Sequence, residues 1–358
     1  MNKTPVSAEK NGLLTLRRPD DFHLHLRDGE ILKAVLPFTT KQFARAVVMP
    51  NLNPPVTTVA AMEAYREIIL AAVPQGHDFT PLMTLFLCDD TLPEVIRVGH
   101  QKGILTAVKW YPAGATTHAE YGVTSVSRIR GCLDILQALG IPLLIHGEST
   151  RPDVDIFDRE RVFIEDTVME LRCNYPQLKI VLEHITTQDA VRYIQEQEDG
   201  LTAATITPQH LLFNRNVLFN GGIRPHYYCL PVLKREYHRQ SLLKAATSGD
   251  RRFFAGTDSA PHPRTAKLAA CGCAGIFNAP SALECYATAF EAAGALPHLQ
   301  AFVSEYGARF YGLPLNTGTV TLARQPLILP EPLVVTEHVQ IDPFPGEVSL
   351  NWRLVGNE

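Results

Sequence analysis

The chain repeats one pattern, in which an apolar, strand-like run ends in a single ionisable residue and is followed by a loop and a helical segment. Four of these runs end at Lys109, His146, His184 and Asp258. Strands that alternate with helices are typical of parallel sheets, and a parallel barrel opens the C-terminal ends of its strands on one face. The pattern therefore predicts a (β/α)8 TIM barrel that gathers these polar side chains at one rim.

A further run, at residues 22–26, carries His23 and His25 and predicts the first barrel strand. Side chains alternate across a strand, so the two imidazoles should point the same way, with their Cα atoms about 7 Å apart. A His-x-His pair alone is weak evidence, because most such pairs are surface or hydrogen-bonded residues. Five strands that bring histidines, a lysine and an aspartate to one rim favour a metal site over a packing role.

Composition excludes several classes of function. The 358 residues are 46% hydrophobic and carry a net charge of −4 without a long basic run, which argues against a nucleic-acid partner. The N-terminal residues lack the apolar stretch of a secretory signal, and no apolar run approaches about 18 residues, so we expect no membrane segment. Seven cysteines without framework spacing fit reduced thiols in a cytoplasmic protein.

The barrel pattern extends over most of the chain. A lead-in strand is predicted at 13–16, and the eighth barrel strand at 252–257 is followed by a further helix. After residue 313 the sequence changes to short, proline-containing β-like pieces, which predict a small β-rich appendage rather than a second domain. We therefore expect one domain over residues 1–358, with the barrel at about 13–313 and a C-terminal extension at 314–358.

Short motifs carry a more specific signal. They are His23-Leu24-His25-Leu26-Arg27-Asp28, Val48-Met49-Pro50-Asn51, Val108-Lys109-Trp110-Tyr111-Pro112, His146-Gly147-Glu148, Glu183-His184-Ile185-Thr186-Thr187 and Gly256-Thr257-Asp258-Ser259-Ala260-Pro261-His262. In content and order, from about residue 14 to residue 313, they resemble the dihydroorotases of the compact, homodimeric bacterial type, in the amidohydrolase superfamily. The resemblance implies a (β/α)8 barrel, a homodimer and the reversible, metal-dependent interconversion of L-dihydroorotate and N-carbamoyl-L-aspartate. That reaction is the third step of de novo pyrimidine (UMP) biosynthesis.

The resemblance also implies two Zn²⁺ ions per subunit, bridged by Lys109 and a hydroxide. The other implied ligands are His23, His25 and Asp258 for one ion and His146 and His184 for the second. An ammonium group has no lone pair to offer a cation, so this role implies that CO2 has converted Lys109 to N6-carboxylysine, an anion. Imidazole and oxygen ligands suit zinc, although cobalt and manganese remain open.

Catalytic and substrate-binding roles follow from the same resemblance. Asp258 would accept the proton of the attacking water and pass it to the leaving amide nitrogen. The implied substrate-binding residues are His25, Arg27, Asn51, His146, Leu230, His262 and Ala274. Among these, Arg27 offers the paired donors that match a carboxylate, whereas Leu230 and Ala274 would hold the amide edges of the ring through backbone groups. Thr116 and Thr117 resemble a mobile lid loop.

Two other functions remain open from the sequence. A related cyclic amidohydrolase, of the hydantoinase or dihydropyrimidinase kind, would share the metal ligands. Its uncharged ring would leave Arg27, Asn51 and His262 without a carboxylate partner, which argues against it. A catalytically inactive barrel that serves as a binding partner is the second alternative, and the presence of every implied metal ligand argues against that reading.

Overall fold

The computed structural model describes residues 9, 11–116, 118–329, 331–344 and 349–357. After β1 (Leu13–Arg17), eight strands form one parallel sheet in sequence order. They are β2 (Asp20–Leu24), β3 (Arg45–Val48), β4 (Thr80–Leu87), β5 (Ala107–Trp110), β6 (Leu143–Ile145), β7 (Ile180–Leu182), β8 (Thr202–Ile206) and β9 (Phe253–Ala255). The predicted (β/α)8 barrel is confirmed.

Helices pack around the barrel and connect its strands. They are α1 (Gly29–Thr40), α2 (Val59–Ala72), α3 (Pro93–Gln101), α4 (Arg130–Leu139), α5 (Arg159–Phe163), α6 (Met169–Asn174), α7 (Gln188–Glu196), α8 (Pro208–Leu212), α9 (Glu236–Thr247), α10 (Arg264–Lys267), α11 (Ala282–Ala292), α12 (Leu296–Ser304) and α13 (Tyr306–Phe310). Thr58 and Thr187 cap α2 and α7, because each hydroxyl accepts a hydrogen bond from a first-turn amide. Within the described part of the chain, no helix is both long and apolar enough to cross a bilayer.

The barrel closes where β9 returns to β2. The Asp258 backbone N donates to the His23 carbonyl at 2.8 Å, and the His25 backbone N donates to the Ser259 carbonyl at 3.1 Å. On the β9 side these bonds lie just beyond the end of the strand, and on the β2 side they lie at its C-terminal end. Closure therefore fixes the backbone of two predicted metal ligands directly beside that of a third.

Aromatic side chains fill the barrel interior on the side of α13. The rings of Phe22 and Phe254 lie 5.2 Å apart, and Phe22 stacks on Tyr311 at 5.0 Å. Gly307 must remain a glycine for this packing, since a Cβ there would lie 2.2 Å from the Phe22 ring. The N-terminal side of the barrel is thus a packed core, which leaves its polar chemistry to the C-terminal strand ends.

The first barrel strand has the predicted length but lies two residues earlier in the chain than the sequence predicts. We expected it at 22–26, but β2 ends at Leu24, so His25 lies one residue beyond the strand. The β2–β3 register is irregular between Asp21 and Leu24, and the following backbone bonds to Ser259 instead. His23 and His25 nevertheless converge, with their ring centroids 5.3 Å apart.

The β-rich C-terminal appendage is confirmed. β1 pairs antiparallel with β10 (Thr319–Arg324), which in turn pairs with β13 (Trp352–Asn357). β11 (Leu333–Thr336) and β12 (Val339–Ile341) form a separate hairpin. The lead-in strand β1 therefore belongs to this three-stranded antiparallel sheet, and the parallel barrel sheet starts with β2 at Asp20.

Candidate metal centre and substrate cavity

Two histidines and an aspartate meet at the junction of β2 and β9. The candidate ligand atoms of His23, His25 and Asp258 all lie within 4.8 Å of one another. The Asp258 Oδ1 is 3.1 Å from His25 Nε2 and 3.4 Å from His23 Nε2. These three buried side chains can therefore converge on one cation, as the sequence predicts.

The remaining predicted ligands adjoin this cluster. His184, which follows β7, has its ring centroid 4.9 Å from that of His23 and 4.7 Å from that of His146. Lys109 on β5 is fully buried, and its charge acts on both His23 and His184. All six residues that the sequence singled out as metal ligands therefore lie in one group.

Burial favours the neutral form of three imidazoles in this group, those of His23, His25 and His184. Desolvation lowers the pKa of His23, and it lowers the pKa of His25 and of His184 well below the ordinary value. The nearby Lys109 charge acts in the same direction on all three rings. Because a histidine must be neutral to bind a metal, these ligands need not lose a proton near neutral pH.

Carboxylates outside the cluster orient two of the histidines. Glu183 Oε2 lies 2.6 Å from His23 Nδ1, and Glu148 Oε2 lies 2.8 Å from His146 Nε2. The Thr205 hydroxyl donates to Glu183 and accepts from the His184 backbone N, at 2.7 Å in each case. Such partners fix the ring orientation and leave the other ring nitrogen for the metal. Glu148 and Glu183 belong to the sequence motifs, but we assigned neither a role.

Across the residues that the structure describes, three buried polar atoms in the cluster lack a hydrogen-bond partner and indicate that the cluster binds a ligand. His23 Nε2, His184 Nδ1 and Lys109 Nζ have no hydrogen-bond partner among the described residues. Unsatisfied buried polar atoms are rare in proteins and usually mark a functional requirement. Two imidazole nitrogens without a partner in the described chain, one of them 3.4 Å from an Asp258 oxygen, fit a divalent metal, and the lysine fits once it carries a carboxylate.

The backbone around the centre adopts an unusual conformation. Arg27, His184 and Asp258 have φ values of 60°, 40° and 47°, in the left-handed region that residues other than glycine rarely adopt. Each of these residues lies two or three positions after the end of a barrel strand. Strained backbone of this kind concentrates at functional sites, where the surrounding structure holds it in place.

Gly256 permits the close packing beneath the centre. A Cβ on Gly256 would lie 2.8 Å from Thr205 Cβ and 3.0 Å from His23 Cβ. We expect Gly256→Ala to lower the free energy of unfolding by about 1–3 kcal/mol, as overpacking does, and to weaken metal binding by moving His23. Chemical denaturation and metal analysis measure the two effects.

The exposed Gly356 provides a matched control, because a Cβ there meets no atom within 4 Å. Gly356→Ala should leave both stability and metal content unchanged. Wild-type stability and metal content in Gly256→Ala would show that the strand junction is looser than the distances indicate.

A cavity adjoins the cluster. It collects most of the residues predicted to bind substrate, together with one predicted lid residue: His25, Arg27, Asn51, His146, Leu230, Ala274 and Thr116. Thr117 lies outside the described residues. The cavity is also lined by Tyr111 and Ala260, which the sequence did not single out.

Polar contacts hold the Arg27 side chain in place at the cavity. Arg27 Nε donates to the Pro261 carbonyl at 3.0 Å, and Arg27 Nη2 lies 3.0 Å from His262 Nε2. That same His262 nitrogen is 3.0 Å from the Ala274 carbonyl. Burial, followed by the Arg27 charge, lowers the pKa of His262 to about 2, so its ring is neutral. His262 does not itself line the cavity but supports Arg27, which does.

Asn51 serves the metal centre as well as the cavity. Its Oδ1 lies 2.8 Å from His25 Nδ1, so His25 points its Nε2 toward Asp258. The Asn51 backbone carbonyl lies 3.3 Å from Nδ1 of His118, in the predicted lid segment. The side chain that we predicted as a carboxylate contact therefore also orients a predicted metal ligand.

Comparisons with known proteins agree with this geometry. The amidohydrolase family model matches residues 21–326, which include every residue of the candidate metal centre. The chain therefore belongs to the amidohydrolase family, and its similarities place it among the dihydroorotases of that family. The family and the ligand cluster together indicate a metal-dependent enzyme.

The similarities are extensive. A dihydroorotase from Erwinia tasmaniensis is 57% identical over 343 residues, which cover 96% of this chain and 98% of that protein. The crystal structure of a Saccharomyces cerevisiae dihydroorotase in complex with 5-fluoroorotic acid has a TM-score of 0.89 and 29% identity, covering 96% of this chain and 98% of that one. A Campylobacter jejuni dihydroorotase has a TM-score of 0.87 and 32% identity, covering 97% and 98%. The family resemblance read from the motifs is confirmed.

Proposed function

We propose that this protein is a hydrolase that interconverts L-dihydroorotate and N-carbamoyl-L-aspartate, the third step of de novo pyrimidine biosynthesis. The observation that carries the proposal is one cavity in which a guanidinium group, Arg27, lies beside a metal-binding cluster. The cluster suits attack on a cyclic amide, and the guanidinium suits a substrate that also bears a carboxylate. The near full-length similarity to dihydroorotases supports the same activity.

The cofactor that we propose is a pair of Zn²⁺ ions per subunit. His23, His25 and Asp258 would hold one ion, and His146 and His184 the other, with carboxylated Lys109 between them. When bound, the ions would polarise the amide carbonyl and lower the pKa of a water molecule toward neutrality. The converging nitrogens and the oxygen of Asp258 support this ligand set.

Lys109 is suited to carboxylation by its burial. Desolvation lowers the pKa of Lys109 to about 8, although the charges of Glu183 and Asp258 oppose this. A substantial neutral fraction therefore exists at physiological pH. The neutral amine can form an N–C bond with CO2 and release one proton, and the resulting carbamate offers two anionic oxygens in place of a cation.

Asp258 is the residue that we propose to move the proton. It lines the cavity and points an oxygen at the ligand histidines. Burial raises the pKa of Asp258, while the interactions with His23 and Lys109 oppose the rise, and a bound cation would also oppose it. The carboxylate can take a proton from the attacking water and deliver it to the ring nitrogen, and cyclisation reverses these steps.

Substrate turnover tests the proposed function directly. The wild-type protein, loaded with zinc, should hydrolyse L-dihydroorotate and cyclise N-carbamoyl-L-aspartate. Dihydrouracil, which lacks the carboxylate, should react with a kcat/KM about 10⁴-fold lower, since the donors that bind the carboxylate would be left unpaired. A preference for dihydrouracil or a hydantoin would instead assign the protein to the related cyclic amidohydrolases.

Arg27 should account for much of this preference. Arg27→Gln removes the charge, and we expect kcat/KM for dihydroorotate to fall about 100-fold, mainly through KM, because a desolvated charge contact is worth about 2–5 kcal/mol. Turnover of dihydrouracil should change little. The exposed Arg66, which pairs only with its neighbour Glu67 among the described residues, supplies the control Arg66→Gln. Equal losses on both substrates would refute the carboxylate role.

The remaining parts of the proposal concern the domain structure, the oligomeric state and the cellular compartment. We propose that the chain is one domain over residues 1–358, that it assembles as a homodimer, and that it acts in the cytoplasm. The homodimer rests on the resemblance to compact bacterial dihydroorotases. All seven cysteines are free, which supports a reducing compartment.

A further inference from the structure

A buried lysine lies behind the substrate cavity and has no role in the chemistry described above. Lys267, the last residue of α10, is 5% exposed. Its Nζ donates to the backbone carbonyls of Tyr228 at 2.8 Å, Cys273 at 2.8 Å and Gly275 at 2.7 Å. An ammonium group has three donors, so each of them is engaged by backbone from one of two loop segments.

These two segments are the ones that carry Leu230 and Ala274 to the cavity. Tyr228 lies two residues before Leu230, and Cys273 and Gly275 flank Ala274. The Gly275 backbone N also donates to the Tyr228 carbonyl at 3.0 Å, so the segments contact each other directly. Lys267 therefore ties together the two stretches of backbone that line the cavity at Leu230 and Ala274.

The same contacts reach the residues around Arg27. A Cβ on Gly275 would lie 2.8 Å from both the Ala260 carbonyl and His262 Cδ2, and its φ is 150°. The segment is thus packed tightly against His262, which also contacts the Ala274 carbonyl. A shift of this segment would move His262 as well as the backbone that faces the ring.

A contribution to the stability of the fold does not by itself explain why position 267 carries a charged side chain. Burial lowers the pKa of Lys267 to about 8, although Cys229 and Cys273 oppose the shift, so the protein environment disfavours the charge. An apolar side chain of similar volume often stabilises a buried position as well as a charged one. Unlike an apolar side chain, the ammonium group can orient the backbone around it, because its charge-assisted hydrogen bonds hold three carbonyls at fixed distances.

We propose that Lys267 is a positioning residue for the substrate ring. By holding the carbonyls of Tyr228, Cys273 and Gly275, it sets the separation between the backbone groups of Leu230 and Ala274, which bind the amide edges of the ring. Lys267 itself does not touch the substrate. This inference rests on the proposed dihydroorotase function and adds to it a residue that determines how the ring is held.

Two substitutions test the proposal. Lys267→Met removes all three donors at similar length, and Lys267→Gln is the milder change. In either variant we expect the KM for dihydroorotate and the Ki of orotate, a planar ring with the same edges, to rise about tenfold, equivalent to ~1.4 kcal/mol of binding free energy. The kcat should fall by less than about threefold, and the metal content should stay at the wild-type level.

Lys179→Met is the matched control. Lys179 also donates to a backbone carbonyl, that of Phe310 at 3.4 Å, but it precedes β7 and lies at the opposite end of the barrel. Its substitution should leave KM and Ki unchanged.

Three outcomes would overturn the positioning role. They are an unchanged KM and Ki in a folded Lys267 variant, a parallel loss of kcat and metal, and failure of both variants to fold. A wild-type protein that does not turn over dihydroorotate would instead refute the proposed function.

Discussion

Lys109→Ala is expected to abolish both metal binding and turnover. The substitution removes the fully buried amine that we propose to carry the bridging carboxylate. Without it, only the four histidines and Asp258 remain to hold two dications, and the loss of several kcal/mol of transition-state stabilisation corresponds to a fall in kcat of at least about 10³-fold. Metal analysis by mass spectrometry, together with steady-state kinetics, measures both effects.

A short carboxylic acid supplies the control for this experiment. Added acetate or propionate can occupy the space left by the lysine side chain and offer two oxygens, so part of the metal content and activity should return. The exposed variant Lys33→Ala, which breaks only a surface pair with Glu30, should behave like the wild type. Wild-type rates in Lys109→Ala without any added acid would refute the bridging role.

Asp258→Asn is expected to cause the second large loss. An amide keeps the shape of the carboxylate and one oxygen that can face a cation, but it cannot accept a proton. Because general acid–base catalysis contributes about 10²–10⁴-fold, kcat should fall by that amount in both directions of the reaction. The fold should persist, since the backbone bonds that close the barrel remain. Kinetics, circular dichroism and metal content separate these effects.

Comparison with Asp258→Ala separates proton transfer from metal binding. Alanine removes the oxygen that lies near His23 and His25, so it should lose metal as well as turnover. Asp189→Asn, on the exposed start of α7, is the surface control. Substantial turnover in a metal-loaded Asp258→Asn protein would mean that another group carries the proton.

Most candidate metal ligands could be placed at one rim of the barrel because they end short apolar runs. Lys109, His146 and His184 end runs of the barrel pattern, and parallel strand ends share one rim. The local path of the chain was harder to predict. The prediction that β2 contains His25 was wrong, because contacts with Ser259, distant in sequence, end the strand at Leu24.

The groups that support the centre could not be predicted from local pattern. Thr205 lies on β8 and Glu183 directly follows β7, and only the register of β7 with β8 brings their side chains together beside His23. The pairing of β1 with β10 depends on residues about three hundred positions apart in the chain, which hydrophobic periodicity does not relate. Lys267 resembles any helical lysine until the loops around it are placed.

The most direct test of the central claim is a native mass measurement of the intact wild-type protein. We predict two zinc ions per subunit together with an adduct of about 44 Da, the mass of CO2. Both should be absent from Lys109→Ala. A fully active wild-type protein that carries no adduct, or no metal, would contradict the carboxylated lysine and the metal centre built around it.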